Sequence, residues 1–288
     1  MRNRQARSSI PSVGDAAPAW DIAVPSRPLR LPGITMAGFS DRAKDVVDLQ
    51  VVPYPAVTLF IDLGDGVLVD HANGRQQRGS LVAGLAPGQV RGHGQHIECL
   101  QVRLSPLVAH AVLGASSELG GTVVALEDLW GRDAARTQER LRAAGSWDER
   151  FAITEATLVR RHPAGRAVDR EVAFAWRQMV TSRGQVRVEQ LAAEAGWSRK
   201  RLWSRFGSQV GLTPKRAAQL IRFDHAAHRL AAGDSAALVA ADSGYADQSH
   251  LHRDVMAFAG VTPTAVAAAP WLAVDDIAWA APRRPSTI

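Results

Sequence analysis

Two stretches in the second half of the chain repeat one another: Leu191 to Pro214 reads LAAEAGWSRKRLWSRFGSQVGLTP, and Val239 to Pro263 reads VAADSGYADQSHLHRDVMAFAGVTP. Gly196 and Gly244 stand 48 positions apart and Pro214 and Pro263 stand 49 apart, so the second copy carries one inserted residue. Two copies are too few for a solenoid, and the repeat reads as a duplicated module. In the first copy Val188, Leu191, Ala192 and Ala195 fall at i, i+3, i+4 and i+7 and make one apolar helical stripe. Gly196 ends that helix, because glycine tolerates the left-handed backbone of a tight turn. Ser198 is a good N-cap for a second helix, with Trp197 before it and Leu202 placed to complete a hydrophobic staple. Leu202, Phe206, Gln209 and Val210 continue the buried side, and the second copy matches with Ala240, Gly244, Tyr245, Leu251 and Val255. Thr213-Pro214 and Thr262-Pro263 are cap-plus-proline helix starts. Each copy has the grammar of a helix-turn-helix.

Advancing about 100° per residue from Leu202, the face turned away from the core holds Lys200 and Ser204, flanked by Trp203 and Arg201. The same construction from Leu251 gives Ser249 and Arg253, flanked by His250 and His252. These side chains are expected to enter the major groove of duplex DNA, where arginine makes a bidentate contact to guanine. Between Gly196 and Leu230, eight basic residues (Arg199, Lys200, Arg201, Arg205, Lys215, Arg216, Arg222 and Arg229) stand against one acid, Asp224. Phosphate is the natural target, with Arg199, Arg201, Arg205, Lys215 and Arg216 as the phosphate-binding candidates. In the second recognition helix Asp247 and Asp254 outweigh Arg253, which predicts weaker phosphate binding there. Pro214 to Leu230 makes one helix of about 25 Å at roughly 1.5 Å per residue. Such a rod is suited to hold two recognition helices in successive major grooves, which repeat about every 34 Å.

These residues resemble the AraC/XylS family of transcriptional regulators over roughly Ala167 to Val266, most specifically in GWSRKRL, RF and VGLTP of the first copy and GYADQSHLHR and AGVTP of the second. The resemblance implies a seven-helix domain with two helix-turn-helix units joined by a long helix. It places the base-reading positions on Lys200, Trp203 and Ser204, and on Ser249, His250 and Arg253. The chain departs from the family at Ser204, where arginine is usual and where Arg205 follows one place later. The family's aromatic after each Thr-Pro is also missing, with Ala217 and Ala218 after the first. The partner domain in this family is commonly a β-rich sensor or dimerisation module.

The remainder of the chain fits that arrangement. Its 288 residues, 46% hydrophobic and 22% charged, exclude disorder as the main state and allow about two domains. Val57 to Leu63, Val67 to Asp70 and Ser80 to Leu85 are short Val, Leu and Ile-rich segments parted by Gly, Asp and Asn turns, and read as antiparallel strands. In Ile97 to Leu104, Leu100, Val102 and Leu104 alternate with Gln101 and Arg103, the pattern of a strand with one wet face. After Ser105-Pro106 the pattern turns helical through Leu107 to Leu113, Leu126 to Trp130 and Arg132 to Ala144. RRHPAGR at Arg160 to Arg166 marks the domain boundary. The expected fold is α+β and multidomain: a disordered basic tail over 1–30, a β-sandwich or barrel-like sensor domain with helices over 31–162, an all-α seven-helix domain over 163–266, and a loosely docked Pro/Ala-rich tail over 267–288.

Lys+Arg exceed Asp+Glu by 34 to 28, which favours a polyanionic partner without naming one. Cys99 is the single cysteine, so the expected compartment is reducing and cytoplasmic. The longest uncharged stretch, Ala257 to Val274, is broken by Gly260, Pro263 and Pro270, so no membrane helix and no membrane partner are expected. No G-x-S-x-G, Walker or G-x-G-x-x-G signature is present. The expected partners are double-stranded promoter DNA, a small-molecule effector of unassigned identity and RNA polymerase, with the protein either a monomer or a homodimer, and with no cofactor or metal.

A competing reading takes His71, His93, His96 and Glu98 as a metal-binding, cupin-like site in an enzyme or sensor fused to a DNA-targeting helical domain. HGQHIE matches no ligand spacing, and histidines at strand ends and turns are the commoner case. Cys99 reads as an ordinary strand cysteine rather than a redox sensor. Trp130, Trp147 and Trp176 are expected to pack helices. A third reading uses the same apolar stripes in a protein-interaction module without DNA, and predicts no salt-dependent binding to duplexes.

Overall fold

The computed structural model describes residues 20–41, 46–64, 66, 68–71, 76–88, 90–114, 116–162, 167–269, 272, 275 and 277–279. The first half forms the strands β1 Trp20–Ala23, β2 Ile34–Asp41, β3 Val47–Val51, β4 Val57–Asp62, β5 Leu68–His71, β6 Gln76–Arg78, β7 Leu81–Ala83, β8 Val90–Gly94, β9 Glu98–Leu104 and β10 Val123–Ala125. They make a six-stranded sheet in the order β1-β2-β9-β4-β7-β10 and a four-stranded sheet in the order β3-β8-β5-β6, with antiparallel pairing throughout. β9 is central, with Val102 opposite Met36 of β2 on one side and Leu59 of β4 on the other.

The face of β9 formed by Leu100, Val102 and Leu104 is fully buried with Leu59 and Ile61 in the main core. The other face, expected to be wet, is an inner wall instead. Cys99 is buried with Val69 and Val90 of the smaller sheet, and Gln101 and Arg103 line a cavity between the sheets. One β9 face therefore packs on the helical side and the other on the second sheet. A strand can carry Gln and Arg at alternate positions and still be enclosed, because polar groups tolerate burial once they are partnered.

Helices α1 Pro106–Leu113, α2 Ser116–Leu119, α3 Leu126–Trp130, α4 Arg132–Ala143 and α5 Trp147–Arg161 follow the strands, with β10 inserted between α2 and α3. Ser146 caps α5 by accepting from the Glu149 N–H at 3.2 Å. Arg150 of α5 ties it to the sheet through Glu98 at 2.6 Å. The described residues of the second half form the helices α6 Arg170–Thr181, α7 Val188–Glu194, α8 Arg199–Val210, α9 Pro214–Ala231, α10 Ala236–Asp242, α11 Gln248–Ala259 and α12 Pro263–Ala267. Among the described residues, no helix is long and apolar enough to cross a membrane.

The chain ends depart from expectation. Residues 1–19 of the expected basic tail lie outside the described residues, but Trp20–Ala23 is an edge strand paired with β2, and the Trp20 ring meets Phe39 edge-on at 6.3 Å. The described residues after Ala267 include docked ones, where a loose tail was expected. Leu272, Asp275 and Ala278 are buried, Trp279 packs against Phe39 at 6.3 Å, and Asp275 binds Arg103 of β9 at 2.8 Å. Residues 163–166, in the expected boundary, lie outside the described residues.

One continuous apolar core joins the halves, since Leu104 and Leu119 share a cluster with Leu202 and Phe206 of α8. At this joint, Gly120 after α2 meets Gly211 after α8 so closely that a Cβ on Gly120 would lie 1.8 Å from the Gly211 carbonyl oxygen. Gly120→Ala must push the halves apart, a strain worth about 1–3 kcal/mol and a drop of several degrees in Tm. Gly207→Ala in α8 meets nothing within 4 Å and should stabilise by about 0.5–1 kcal/mol through helix propensity. Thermal melts of the two variants should move in opposite directions, and an unshifted Gly120→Ala melt would remove the joint from this description.

Candidate nucleic-acid interface

The two repeated units are built by the same backbone devices. Between α7 and α8, Gly196 takes φ +67° and the Trp197 N–H donates to the Ala192 carbonyl at 2.9 Å. Between α10 and α11, Gly244 takes φ +73° and the Tyr245 N–H donates to the Ala240 carbonyl at 3.1 Å. Each second helix starts on a side-chain cap: Ser198 Oγ accepts from Arg201 N at 3.2 Å, and Asp247 Oδ1 accepts from His250 N at 2.7 Å. α9 lies between the units, and its Phe223 stacks on Phe258 of α11 at 5.1 Å. Thr213 and Thr262 cap α9 and α12, as the Thr-Pro starts require.

Lys200 and Ser204 on α8 and Ser249 and Arg253 on α11 are exposed, on the side of each helix opposite Leu202 and Leu251. His250 is half-buried, edge-on to Tyr245 at 5.1 Å, with its Nδ1 3.4 Å from the Ala246 N–H. With Nδ1 accepting, the ring proton sits on Nε2. Trp203 is also half-buried, with Arg199 5.7 Å above its ring. Its indole N–H is enclosed and has no partner among the described residues.

Arginine count overstates the free positive charge. Arg205 forks onto Asp169 at 2.7 and 2.9 Å, and this bond holds the Asp169 carboxyl below the usual carboxylate range. Arg229 binds Asp234 at 2.6 Å and Asp242 at 3.0 Å. Arg222 binds Asp254 at 3.0 Å, both nearly enclosed. Asp254, counted above against phosphate binding by α11, thus points into the protein, and Asp247 is a helix cap. The Arg222 pair takes Asp254 out of the outward-facing charge of α11, while Asp247 stays exposed. Arg216 lies 3.7 Å over the Phe258 ring, half-buried, and burial lowers its pKa. Arg201 rests on the Trp197 ring at 4.5 Å, and Arg199 pairs with Glu189 at 3.2 Å, both partners well exposed. Lys200 and Lys215 are exposed and make no ion pair among the described residues.

Behind this surface is a site that the sequence reading missed. A cavity of about 200 Å³ lies between the two sheets, walled by Trp20, Phe39, Phe60 and Trp279 and bounded at one end by Asp224 and His228 of α9. Arg103 crosses this end, sandwiched between the rings of Tyr54 at 3.7 Å and Trp279 at 4.0 Å. Its Nη groups donate to Asp275 at 2.8 and 3.5 Å. His228 lies with Nε2 3.3 Å from Asp275 Oδ2 and Nδ1 2.9 Å from the Asp224 carbonyl. Both ring nitrogens therefore donate, the state of an imidazolium, and the Asp275 bond lifts the His228 pKa to about 9. Burial pushes the Asp224 carboxyl up to about 6 and raises the Cys99 thiol well above its ordinary range. Arg103 and Asp275 lie 172 positions apart, so no local pattern announces the pair.

The metal candidates do not converge. Glu98 is bound by Arg150, and His93 Nδ1 lies 3.4 Å from Asp70. His71 closes β5, but its side chain lies outside the described ones. Among the described residues, no three His, Cys, Asp or Glu side chains are grouped to hold an ion.

Two helix-turn-helix units on one buried helix define a class, the double helix-turn-helix DNA-binding proteins. Residues 191–269 match the family model described as a helix-turn-helix domain. Among solved structures, ToxT from Vibrio cholerae O395 is similar at 12% identity with a TM-score of 0.46, over 82% of this chain and 98% of its own. ToxT of Vibrio cholerae strain SCE256 with a bound unsaturated fatty acid is similar at 10% identity and TM-score 0.46, over 84% and 96%. The AraC-like transcriptional activator CuxR is similar at 15% identity and TM-score 0.26, over 69% and 84%. No curated protein matches the chain significantly. The C-terminal region therefore contains a helix-turn-helix domain.

The His228 cluster gives a pH prediction. Because its pKa rises from 6.5 to about 9 on folding, its stabilisation is complete below about pH 6.5 and is lost as pH climbs through about 9. Asp224 titrates below that window. The imidazole keeps an exposed edge, so the expected loss is only about 1 kcal/mol. Urea melts at about pH 7 and about pH 9.5 should show this loss in the native sequence and not in His228→Gln; equal slopes in both would exclude the cluster as its source.

Proposed function

We propose that the protein is a sequence-specific transcriptional regulator that reads promoter DNA with α8 and α11, is modulated by a small molecule through its β-rich half, and performs no chemistry of its own. The observation that carries this reading is the duplicated unit: two capped helices on a shared rod, each turning polar and cationic side chains outward opposite its buried leucine. Lys200, Trp203 and Ser204, and Ser249, His250 and Arg253, serve as the base-reading groups. Arg199, Arg201 and Lys215 anchor phosphate directly. Arg205 joins them only by releasing Asp169, and Arg216 only by leaving the Phe258 ring. An effector acts by preferring one arrangement of the halves over another, and RNA polymerase is the partner through which a bound regulator acts.

Fluorescence anisotropy on the DNA upstream of the gene and on a scrambled duplex, at about 50 and about 200 mM salt, tests the reading. Tighter binding to the upstream duplex that survives the higher salt supports it; equal binding that collapses with salt overturns it. Within that assay Arg253→Ala should cost about 1–3 kcal/mol and relax one base position, whereas Lys215→Ala should weaken all duplexes alike and lower the salt slope by about one. An unchanged base preference in Arg253→Ala would exclude that arginine from readout.

A further inference from the structure

At the Asp224 end of the cavity a carboxylate keeps unused bonding capacity, and its sign is negative. Both cations at this end are already paired with Asp275. Arg103 gives its Nη donors to Asp275 and its two flat faces to Tyr54 and Trp279, while its Nε is enclosed and has no partner among the described residues. His228 gives one nitrogen to Asp275 and the other to the Asp224 carbonyl. Asp275 in turn is filled by these two donors. The Asp224 carboxylate has only the His228 ring, at 3.7 Å, beyond hydrogen-bond reach, and no donor bonds it among the described residues. It keeps 27% of its side-chain surface and lines both the cavity and the wider mouth beside it. A half-buried carboxylate without donors is unfavourable, and burial raises its pKa.

We propose that the cavity is the binding site for a small amphipathic amine, whose apolar body lies among the aromatic walls and whose ammonium sits on Asp224. This rests on the sensing role given above to the β-rich half. The ammonium supplies the missing donors and the opposite charge. The rings of Trp20, Phe39, Phe60 and Trp279 suit an aromatic or aliphatic body and also attract a cation. A carboxylate ligand would meet cations already paired with Asp275 and would face Asp224. The volume fits a single-ring molecule, since an engineered apolar cavity of about 150 Å³ holds benzene. Asp224 stands on α9, the helix that holds both repeated units, so an occupant touches the DNA-binding half directly.

The test is calorimetric titration of the full chain, without DNA, with benzylamine, benzyl alcohol and benzoate, which share a body and differ in the head. Benzylamine should bind at least tenfold tighter than the other two, and Asp224→Asn should erase that margin while leaving benzyl alcohol unchanged. Equal or tighter binding of benzoate or the alcohol overturns the proposal, as does no binding of any of the three, or an amine preference that persists in Asp224→Asn. Duplex binding by the same preparation separates this from the regulator reading. Duplex binding without amine binding overturns the amine site alone, and amine binding without duplex binding overturns the regulator reading alone.

Discussion

Burial of α9 is the constraint on which the rest of the structure depends. Pro214, Ala217, Ala218, Leu220, Ile221, Phe223, Ala226, Ala227 and Leu230 are all buried along its length, so the helix is enclosed on most of its circumference. Four of these are alanines, which let neighbouring helices approach its axis, while Phe223 anchors α11 through Phe258. A rod held in this way fixes the separation and angle of the two recognition helices. At roughly 1.5 Å per residue its 18 residues span about 27 Å, the right order for adjacent grooves on one face of DNA. The turn glycines and capping side chains then aim each helix, and the apolar joint at Gly120 and Gly211 fixes the helical half against the β-rich half.

Electrostatics follows the same logic at shorter range. Arg205, Arg222 and Arg229 read as a basic patch in one dimension, yet each is committed to an aspartate in three. These pairs orient helices; the exposed set at Arg199, Lys200, Arg201 and Lys215 is what remains for a polyanion. The other charged cluster, Arg103, His228, Asp275 and Asp224, links β9, α9 and the C-terminal segment at one end of the inter-sheet cavity. Space for an occupant and contact with the DNA-binding half therefore meet at one helix.

The helical half was legible because its signals are local. Glycine turns, Ser and Thr caps and apolar spacing all lie within a few residues of what they determine, and their duplication checks each reading against the other. The β-rich half was legible only as strands. β9 looked half wet because Gln101 and Arg103 alternate with leucine and valine, and nothing nearby reveals that a second sheet covers them. The C-terminal segment looked loose because its anchors, Arg103 and Phe39, lie far away in sequence. Asp254 looked like a groove-facing acid because its partner Arg222 is a helix away. The cavity and its charged end were invisible for the same reason: each is a meeting of residues that only the fold brings together.

The central claim is that one chain reads two grooves through a rigid rod, and hydroxyl-radical footprinting of the protein on its upstream DNA tests it most directly. The account predicts two protected segments on one face of the duplex, about one helical turn apart, and loss of one of them when about five base pairs, half a turn, are inserted between them. A single protected groove, or protection and affinity indifferent to the insertion, would contradict it.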